Sequence, residues 1–515
     1  MEKILLKITE SFKKFFLTSL MITMMLNLVA SLQAYPIHLT LLFTGDTHGQ
    51  ITPFWNHAHT QQWGGVSRRM TLIRQIQNEV GKNHVLLLDS GGIFQGTALS
   101  HFTQGQAVYS SYQTMGYQAV VLGNHDYDYG EDFILHLKDA LNFPWLSSNA
   151  IMPAYSHNFV KPFILEYKGV RIAILGLTNP HTNVVTGFNR TQGLRFDSPW
   201  QVAAGLHAIL IKNADFFIGL TDLSLSQLQQ VAHKDTFFSV IIGGRSHRIL
   251  KKPICSQEAD GQVTSPILVE TGNRGRYLGR LDLTLTGSPE NGFRVQYFHY
   301  RMIPINDHIV PDAKLQTMVQ ASFQKLPIGI HDPLTVSKHY FKLSNTSESV
   351  IGHLTAEAMK KMDQGQIACI NSAAFRGGIP QGTITRENLY HIFPFSYKLT
   401  TLEISGYDLQ RLLDATFFQR GTGAFLQVAG MTIKDDHKNL LVSINGNPLN
   451  DHRYYKMITS DYLAQGNGGY AFLKTIHQIP NAAAVTSIRR LIEKKLQSSV
   501  TFSAQNSDNW IFGKK

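Results

Sequence analysis

A polar loop near the start of the chain carries two side chains that can bind a metal. Asp46 and His48 lie one residue apart in "TGDTHG", directly after the apolar segment "HLTLLF". Because side chains alternate along an extended chain, both can face the same point. A carboxylate oxygen and an imidazole nitrogen together suit a borderline transition metal such as zinc, manganese or iron. On its own, this short motif is also compatible with an ordinary loop.

The loop "GNHDYD" adds groups that can ligate a metal or move a proton. Asn124 offers an amide oxygen, and His125 is followed three residues later by Asp128, a carboxylate that can orient an imidazole. The alternative is a loop capped by its Asn and Asp side chains. A third loop, "GGRSH", brings His247 after another apolar segment and favours one shared site.

The elements that position these loops follow one pattern from Pro36 to about Arg301. An apolar strand is followed by a glycine-containing polar loop and then by a stretch of helical periodicity, which predicts an α/β fold. In such folds ligands bind beyond the carboxyl ends of the strands. The predicted strands are "HLTLLF", "HVLLLD", "AVVLG", "DFFIGL" and "SVIIGG". We therefore expect the five loops that follow them to form one site.

The length of 515 residues predicts more than one domain. Prolines flank an amphipathic segment from about Asp312 to Gln324, which indicates a connecting helix. The predicted organisation is a signal peptide at 1–34, a first domain at 35–305, a helical linker at 306–330 and a second domain at 331–515.

The first 34 residues have the pattern of a secretory signal peptide. Basic residues precede an apolar run from Phe15 to Ala30, and the small residue Ala34 suits cleavage. This predicts a secreted or periplasmic protein without a stable membrane span after signal removal. The alternative is an uncleaved N-terminal anchor.

Composition limits the partners. Hydrophobic residues make up 43% and charged residues 16% of the chain, values typical of globular proteins. The net charge of +11 could attract anionic ligands, but no dense Lys/Arg run indicates nucleic-acid binding. With only Cys255 and Cys369 present, a disulfide framework is excluded.

Together these motifs resemble those of the bacterial 5′-nucleotidases and UDP-sugar hydrolases, over nearly all of the chain after residue 34. That resemblance implies a metallophosphoesterase-type β-sandwich flanked by helices, followed by a smaller αβ substrate-binding domain. It also implies two divalent metals that clamp a phosphate ester and activate water. The implied ligands of the first metal are Asp46, His48 and His247. Asn124 is the implied ligand of the second, and His125 with Asp128 forms the implied catalytic pair.

Three positions depart from the family pattern. The loop "SGGIFQG" has Gly92 where the family has a bridging aspartate, "TDLS" has Asp222 in place of a metal-binding histidine, and "GRSH" has Arg245 in place of another. A guanidinium and a divalent ion at about 4 Å would repel by several kcal/mol. We therefore expect a bidentate Arg245–Asp222 ion pair in place of the second metal, and one metal ion per chain. Asp222 remains a doubtful metal ligand.

The second domain carries the segment "CINSAAFRGGIPQGTITRENLYHIFPFSYKL", which resembles the substrate-binding motif of the same family. The resemblance implies that Asn371 and Arg376 hold the phosphate and sugar, and that Phe395 and Tyr470 stack a nucleobase. Asn345 stands where nucleotidase relatives keep an arginine, so the identity of the substrate stays open.

Two functions follow from these patterns. The first is an exported 5′-nucleotidase-like metallophosphoesterase that hydrolyses phosphate esters of nucleotides with a one-metal or incomplete two-metal site. The alternative is a catalytically weakened relative that binds nucleotide-like ligands without turnover. A structural or host-interaction protein that uses only the scaffold is a third reading with less support in the sequence.

Overall fold

The computed structural model of the chain describes residues 36–56, 60–151, 161–186, 190–191, 193–234, 237–256, 263–436, 439–480, 486–498, 501–502 and 509–512. The predicted signal peptide, residues 1–34, lies outside the described residues. Among the helices described, none is both long enough and apolar enough to cross a bilayer.

The first half of the chain, up to residue 304, alternates strands with helices. Its strands are β1 (Ile37–Thr44), β2 (Phe54–Trp55), β3 (Gln62–Trp63), β4 (Val85–Asp89), β5 (Ala119–Val121), β6 (Trp145–Leu146), β7 (Ala150–Ile151), β8 (Phe163–Tyr167), β9 (Val170–Thr178), β10 (Arg195–Phe196), β11 (Phe216–Asp222), β12 (Val240–Gly243), β13 (Ile267–Glu270), β14 (Tyr277–Ser288) and β15 (Gly292–Pro304). Its α-helices are α1 (Val66–Val80), α2 (Ala98–Phe102), α3 (Gln106–Met115), α4 (Glu131–Ala140), α5 (Thr182–Val185), α6 (Pro199–Leu210) and α7 (Leu225–Lys234).

Two sheets pack face to face in this half. One has the strand order β15-β14-β1-β4-β5-β6 and the other β13-β12-β11-β9-β8. Alternate apolar side chains such as Leu41 and Leu88 of the first sheet share one buried cluster with Ile174 and Ile218 of the second. The outer faces are covered by helices, the first by α1 and α3 and the second by α6 and α7. The predicted β-sandwich flanked by helices is confirmed.

The five predicted strands are present, but they are divided between the two sheets. β1, β4 and β5 belong to the first sheet, whereas β11 and β12 belong to the second. Strand β9 and the long antiparallel hairpin of β14 and β15 were not predicted from the sequence. All five strands are apolar along most of their length, and this pattern does not reveal which of two facing sheets a strand joins.

The second half contains a smaller αβ unit. Its strands are β16 (Pro333–Ser337), β17 (Ile367–Asn371), β18 (Gly382–Thr385), β19 (Leu399–Ser405), β20 (Leu426–Ala429), β21 (Met431–Asp435), β22 (Leu440–Ile444), β23 (Asn447–Pro448), β24 (Tyr454–Ser460), β25 (His477–Ile479), β26 (Thr501–Phe502) and β27 (Trp510–Ile511). Its α-helices, preceded by α8 (Ala313–Ser322), are α9 (Val350–Lys360), α10 (Arg386–Ile392), α11 (Gly406–Phe418), α12 (Asp461–Ala464) and α13 (Ile488–Gln497).

The sheet β20-β17-β24-β19-β25 forms the centre of the second half. Side chains alternate along β17, so that Cys369 packs with Leu412 of α11 on one face while Ile370 packs with Ile351 of α9 on the other. The predicted αβ unit is confirmed.

The predicted connecting helix corresponds to α8. The Asp312 carboxylate caps it by accepting a hydrogen bond from the backbone N–H of Leu315 at 2.9 Å. Leu315 and Val319 are buried in the core that also contains residues of α1. This helix therefore packs on the first half of the chain, and the predicted domain boundaries at 305 and 330 stay predictions.

The two halves are in contact at their edge near α2 and α10. The rings of His101 and Tyr390 lie 5.3 Å apart, those of Phe102 and Tyr390 lie 5.1 Å apart, and the Arg489 guanidinium stacks 3.9 Å from the centre of the Tyr390 ring. Burial, reinforced by the charge of Arg489, lowers the pKa of His101 to about 4.

This contact predicts a dependence of stability on pH. The folded pKa of His101 lies below the ordinary value of about 6.5, so its contribution to stability is present above that pH and is lost as the pH falls towards 4. Between pH 7 and 5, we expect the wild type to lose about 1–2 kcal/mol more unfolding free energy than His101→Phe. Urea unfolding at both values measures this. Parallel wild-type and His101→Phe profiles would refute the assignment.

Candidate metal and phosphate-binding site

Loops from both sheets meet at one end of the sandwich. The backbone N–H groups of Asp46 and His48 donate to the carbonyls of Gly91 and Gly92 at 2.8 and 2.9 Å, which ties the loop after β1 to the loop after β4. The backbone N–H of Arg245 donates to Asp46 Oδ2 at 2.6 Å, which ties in the loop after β12. The loops after the predicted strands therefore do converge, although the strands come from two sheets.

Asp46, His48 and His247 form a cluster whose ligand atoms lie within 4.8 Å of one another. The two Nε2 atoms are 3.0 Å apart, and Asp46 Oδ1 lies 3.6 Å from His48 Nε2 and 3.8 Å from His247 Nε2. Among the described residues, this is the one group of three or more His, Cys, Asp or Glu side chains with the spacing of a metal site.

The chemistry of the cluster fits a divalent transition metal. Burial lowers the pKa of both imidazoles, that of His247 to about 3, and so keeps them in the neutral form that ligates metals. Burial and the neighbouring Asp222 and Glu270 carboxylates raise the pKa of Asp46 well above its ordinary value. A bound cation would counteract this rise in the pKa of Asp46, because it favours the charged carboxylate.

The backbone of the cluster is held in an unusual conformation. Asp46, His48, Arg245 and His247 have φ values of 48°, 50°, 71° and 56°, in the left-handed region that residues other than glycine seldom adopt. Such strain persists where surrounding structure enforces it and is concentrated at functional sites. Here the hydrogen bonds between the loops supply that enforcement.

Arg245 contacts Asn124, the residue that the resemblance assigns to the second metal. Its side chain is 23% exposed, and Nη1 donates to Asn124 Oδ1 and lies 3.9 Å from Asp222 Oδ2. The expected bidentate pair with Asp222 is wrong in its geometry, because Asp222 Oδ2 accepts the backbone N–H of Asn124 at 3.0 Å and the guanidinium turns to the amide oxygen. The Asn124 atom predicted to bind a metal is therefore engaged by Arg245.

Gly92 faces the cluster from the loop after β4. A Cβ atom at this position would lie 2.7 Å from Asp46 Oδ1 and 3.6 Å from His48 Cε1, so a side chain here would point into the metal site. The neighbouring carboxylate of Asp89 cannot substitute, since it accepts hydrogen bonds from Thr44 Oγ1 at 2.5 Å and Tyr112 OH at 2.9 Å within the core.

The predicted catalytic pair is assembled beside the cluster. His125 Nδ1 lies 2.7 Å from Asp128 Oδ2, and His125 Nε2 lies 2.5 Å from Nη2 of Arg376 in the second half of the chain. A guanidinium can only donate, so Nε2 is the acceptor and the proton lies on Nδ1, which donates to Asp128. Burial and the charge of Arg376 lower the pKa of His125.

The cleft between the halves has a cavity of about 650 Å³ that contains most of the predicted substrate-binding residues. Asn371, Arg376 and Phe395 line it. Asn371 Oδ1 is buried and has no hydrogen-bond partner among the described residues, which leaves it available to a ligand.

Tyr470 is a correction to the sequence analysis. Its side chain is completely buried in the core of the second half, and its hydroxyl donates to the carbonyl of Ala424 at 2.8 Å and lies 3.0 Å from Thr416 Oγ1. A ring held in this way does not line the cleft. The physical reason is that the Tyr470 ring packs within the hydrophobic core of the second half.

Two aromatic rings that were not predicted from the sequence, those of Tyr397 and Tyr462, line the cleft together with Phe395. Phe395 stacks on Tyr397 at 4.9 Å and 7°, and Tyr397 stacks on Tyr462 at 5.1 Å and 21°. The spacing of "FPFSYK" placed Tyr397 on the same side of the extended chain as Phe395, a signal that could have identified it. Tyr462 had no comparable signal, since it reaches the cleft from helix α12.

Family models match both halves of the chain. The calcineurin-like phosphoesterase model matches residues 39–222, and the model for the 5′-nucleotidase C-terminal domain matches residues 330–475. A snake venom 5′-nucleotidase from Gloydius brevicauda is 26% identical over 505 residues, covering 86% of this chain and 84% of the relative. The 5′-nucleotidase of Vibrio parahaemolyticus is 24% identical over 497 residues, covering 85% of each chain.

Solved structures share the fold. A 5′-nucleotidase precursor from Thermus thermophilus superposes with a TM-score of 0.83 at 22% identity, over 93% of this chain and all of the other. The sulfate thiohydrolase SoxB of the same organism superposes with a TM-score of 0.75 at 19% identity, over 93% and 97% of the two chains. With both domain models matched along the chain, it belongs to the 5′-nucleotidase family, which joins a calcineurin-like phosphoesterase domain to a 5′-nucleotidase C-terminal domain.

Proposed function

We propose that the chain is a metal-dependent phosphohydrolase of the 5′-nucleotidase type, which works with one divalent ion and cleaves phosphate esters of nucleotides. This proposal rests on one observation, which is that metal-binding groups and a phosphate-binding guanidinium face each other across one cleft. The cluster of Asp46, His48 and His247 lies on one side, and Arg376 reaches from the other side to His125. A metal site and a phosphate-binding guanidinium at one point suit a phosphate ester.

The metal would be held by Asp46, His48 and His247. Zinc, manganese and iron all suit this set of two nitrogen ligands and one oxygen ligand. When bound, such an ion stabilises negative charge on the oxygens of a phosphoryl group.

Arg376 and His125 have separate proposed roles, in binding the phosphate and in transferring a proton. Arg376 forms no ion pair with a carboxylate among the described residues, and its guanidinium donates to the neutral His125 ring and stacks on the face of Phe395 at 5.2 Å. A phosphate would attract this guanidinium and release His125 Nε2. The neutral His125 ring, held by Asp128, can then take up a proton from water at Nε2 and pass that proton to the oxygen of the leaving group.

Arg245 supplies a fixed positive charge at the position of the second metal. A guanidinium near the phosphoryl oxygens can stabilise charge that develops during transfer. Its hydrogen bond to Asn124 and its proximity to Asp222 hold it in place without a metal. This arrangement favours one metal ion over two.

The stack of Phe395, Tyr397 and Tyr462 suits a planar group such as a nucleobase. Stacking between a base and an aromatic ring contributes about 1–3 kcal/mol and tolerates different bases. We therefore propose a nucleotide ester as the substrate. The same proposal includes the domain boundaries given above, a signal peptide at residues 1–34, and export to the periplasm or the exterior.

The second candidate is a protein that binds nucleotide-like ligands without turnover. Gly92, Asp222 and Arg245 favour it, since each removes a ligand that the resemblance assigns to a metal. Binding without phosphate release would raise the melting temperature by mass action in the presence of nucleotide.

Release of phosphate from AMP and from an aryl phosphate distinguishes the two. We expect release with added zinc or manganese and its loss after a chelator removes the metal, with recovery when metal is returned. Stabilisation by AMP without any release of phosphate would overturn the enzymatic proposal and support binding alone.

A further inference from the structure

A second cavity of about 550 Å³ adjoins the cleft next to the metal cluster, with His48 and His247 in its lining. We call it the Arg274 pocket. Its lining includes His48, Asn273, Arg274, Asn345, Arg376 and His391. It shares Arg376 and His247 with the cavity that contains the aromatic rings, so one ligand can reach both cavities.

The charge in the Arg274 pocket is positive. Two guanidiniums line it and no Asp or Glu does, and neither Arg274 nor Arg376 forms an ion pair with a carboxylate in the described part of the chain. Burial, with a further effect from Arg276, lowers the pKa of Arg274 to about 10, a value at which it is still charged at neutral pH. A partly buried cation without a counter-ion is costly unless an anionic ligand compensates it.

Arg274 is held ready for such a ligand. Its Cζ atom lies 4.2 Å from the centre of the Phe54 ring, and Nη2 donates to Gln50 Oε1 at 2.9 Å. Its backbone N–H donates to the carbonyl of Asp46 at 2.7 Å, which fixes it to the loop of the metal cluster. A guanidinium fixed in this way loses little side-chain entropy when it binds an oxyanion.

The neutral lining adds hydrogen-bonding groups. Asn273, Asn345 and Ser372 offer amide or hydroxyl groups around the two guanidiniums. Burial, with a further effect from Arg274, lowers the pKa of His391 to about 3, so this ring is a neutral partner. Several donors around two guanidiniums suit a tetrahedral oxyanion with several acceptor oxygens.

We propose that the Arg274 pocket is an oxyanion subsite, in which Arg274 binds a second phosphoryl group next to the one held at the metal cluster. This proposal rests on the proposed function, since it takes the first phosphoryl group to lie between the cluster and Arg376. The second group belongs either to the same substrate, as in a nucleoside diphosphate, or to a separate phosphate ion.

The test is calorimetric titration of the metal-loaded full chain with two probes, the α,β-methylene analogue of ADP and inorganic phosphate. Loss of a charged hydrogen bond predicts that Arg274→Gln weakens binding of the analogue by about 10- to 100-fold. If the second group belongs to the substrate, the same substitution should weaken the binding of inorganic phosphate by less than about threefold. If the pocket holds a separate ion, the number of phosphates bound should fall from two to one.

Two further variants protect the test against misfolding. Arg294→Gln removes the same charge from an exposed position on β15 and should leave both affinities unchanged. Adding Asn345→Arg to Arg274→Gln returns a guanidinium to the other wall of the pocket and should recover most of the lost affinity. Equal weakening of both probes without a change in stoichiometry, no weakening at all, or an equal effect of Arg294→Gln would overturn the proposal. Because binding needs no turnover, absence of phosphate release would refute the proposed function and leave this result standing.

Discussion

His125→Ala should lower the rate of phosphate release from AMP by about 100- to 10,000-fold, the range typical for loss of a general acid or base. We propose this role for His125 because Asp128 Oδ2 lies 2.7 Å from its Nδ1 while its Nε2 faces Arg376 across the cleft. We expect the metal content to be unchanged, since the cluster is formed by Asp46, His48 and His247. Steady-state kinetics and metal analysis of the same preparation measure both quantities.

The control is another histidine that pairs with a carboxylate outside the cleft. His331 lies 3.0 Å from Glu387 and its side chain is 63% exposed, so His331→Ala should leave the rate within about twofold, as for most exposed substitutions. If His125→Ala reduced the rate less than tenfold, proton transfer would have to be assigned to another group. A similar loss in both variants would point to stability in place of catalysis.

The combined change Gly92→Asp, Asp222→His and Arg245→His should raise the metal content from about one to about two equivalents per chain. It restores the three ligands that the family pattern has and this chain lacks, and it removes the guanidinium that engages Asn124 Oδ1. A carboxylate at position 92 would point into the cluster, and the Asp46 side chain would have to shift to admit it, because the new Cβ atom would lie 2.7 Å from Asp46 Oδ1. The left-handed φ of 63° there costs the aspartate about 1 kcal/mol.

The same variant should release phosphate at least about tenfold faster, since a second metal supplies several kcal/mol of charge stabilisation in two-metal sites. Arg245→His alone is the matched control. It leaves Gly92 and Asp222 unchanged and should not bind a second ion tightly. If the triple variant gained neither metal nor rate, the departures from the family pattern would not be what limits this site.

The convergence of Asp46, His125 and His247 was predictable because each residue follows an apolar strand, whereas their metal-binding and catalytic roles stay predictions. The ends of β1, β5 and β12 place Asp46, His125 and His247 at one end of the sandwich, and a strand fixes where its next loop begins. The position of Arg245 was predictable for the same reason. The hydrogen-bond partner of Arg245 was not predictable. Whether its long side chain contacts Asn124 or Asp222 depends on distances that the sequence does not contain.

The aromatic and cationic parts of the cleft were less predictable. Tyr470 and Tyr462 both pack in the core of the second half, yet only Tyr462 also lines the cleft. The sequence does not show which of the two rings reaches the cleft, because the Tyr470 hydroxyl contacts Thr416 of α11, an element distant in sequence. Arg274 follows strand β13 in "ETGNRGRY", but its role depends on Phe54 and Gln50, more than 200 residues earlier.

The central claim is that Arg245 has replaced the second metal in a site that still holds the first. Metal content and release of phosphate from AMP, measured on one purified preparation, test this claim most directly. The structure predicts about one equivalent of zinc, manganese or iron per chain, together with phosphate release that is lost when the metal is removed. Two tightly bound equivalents in the wild-type chain would contradict it.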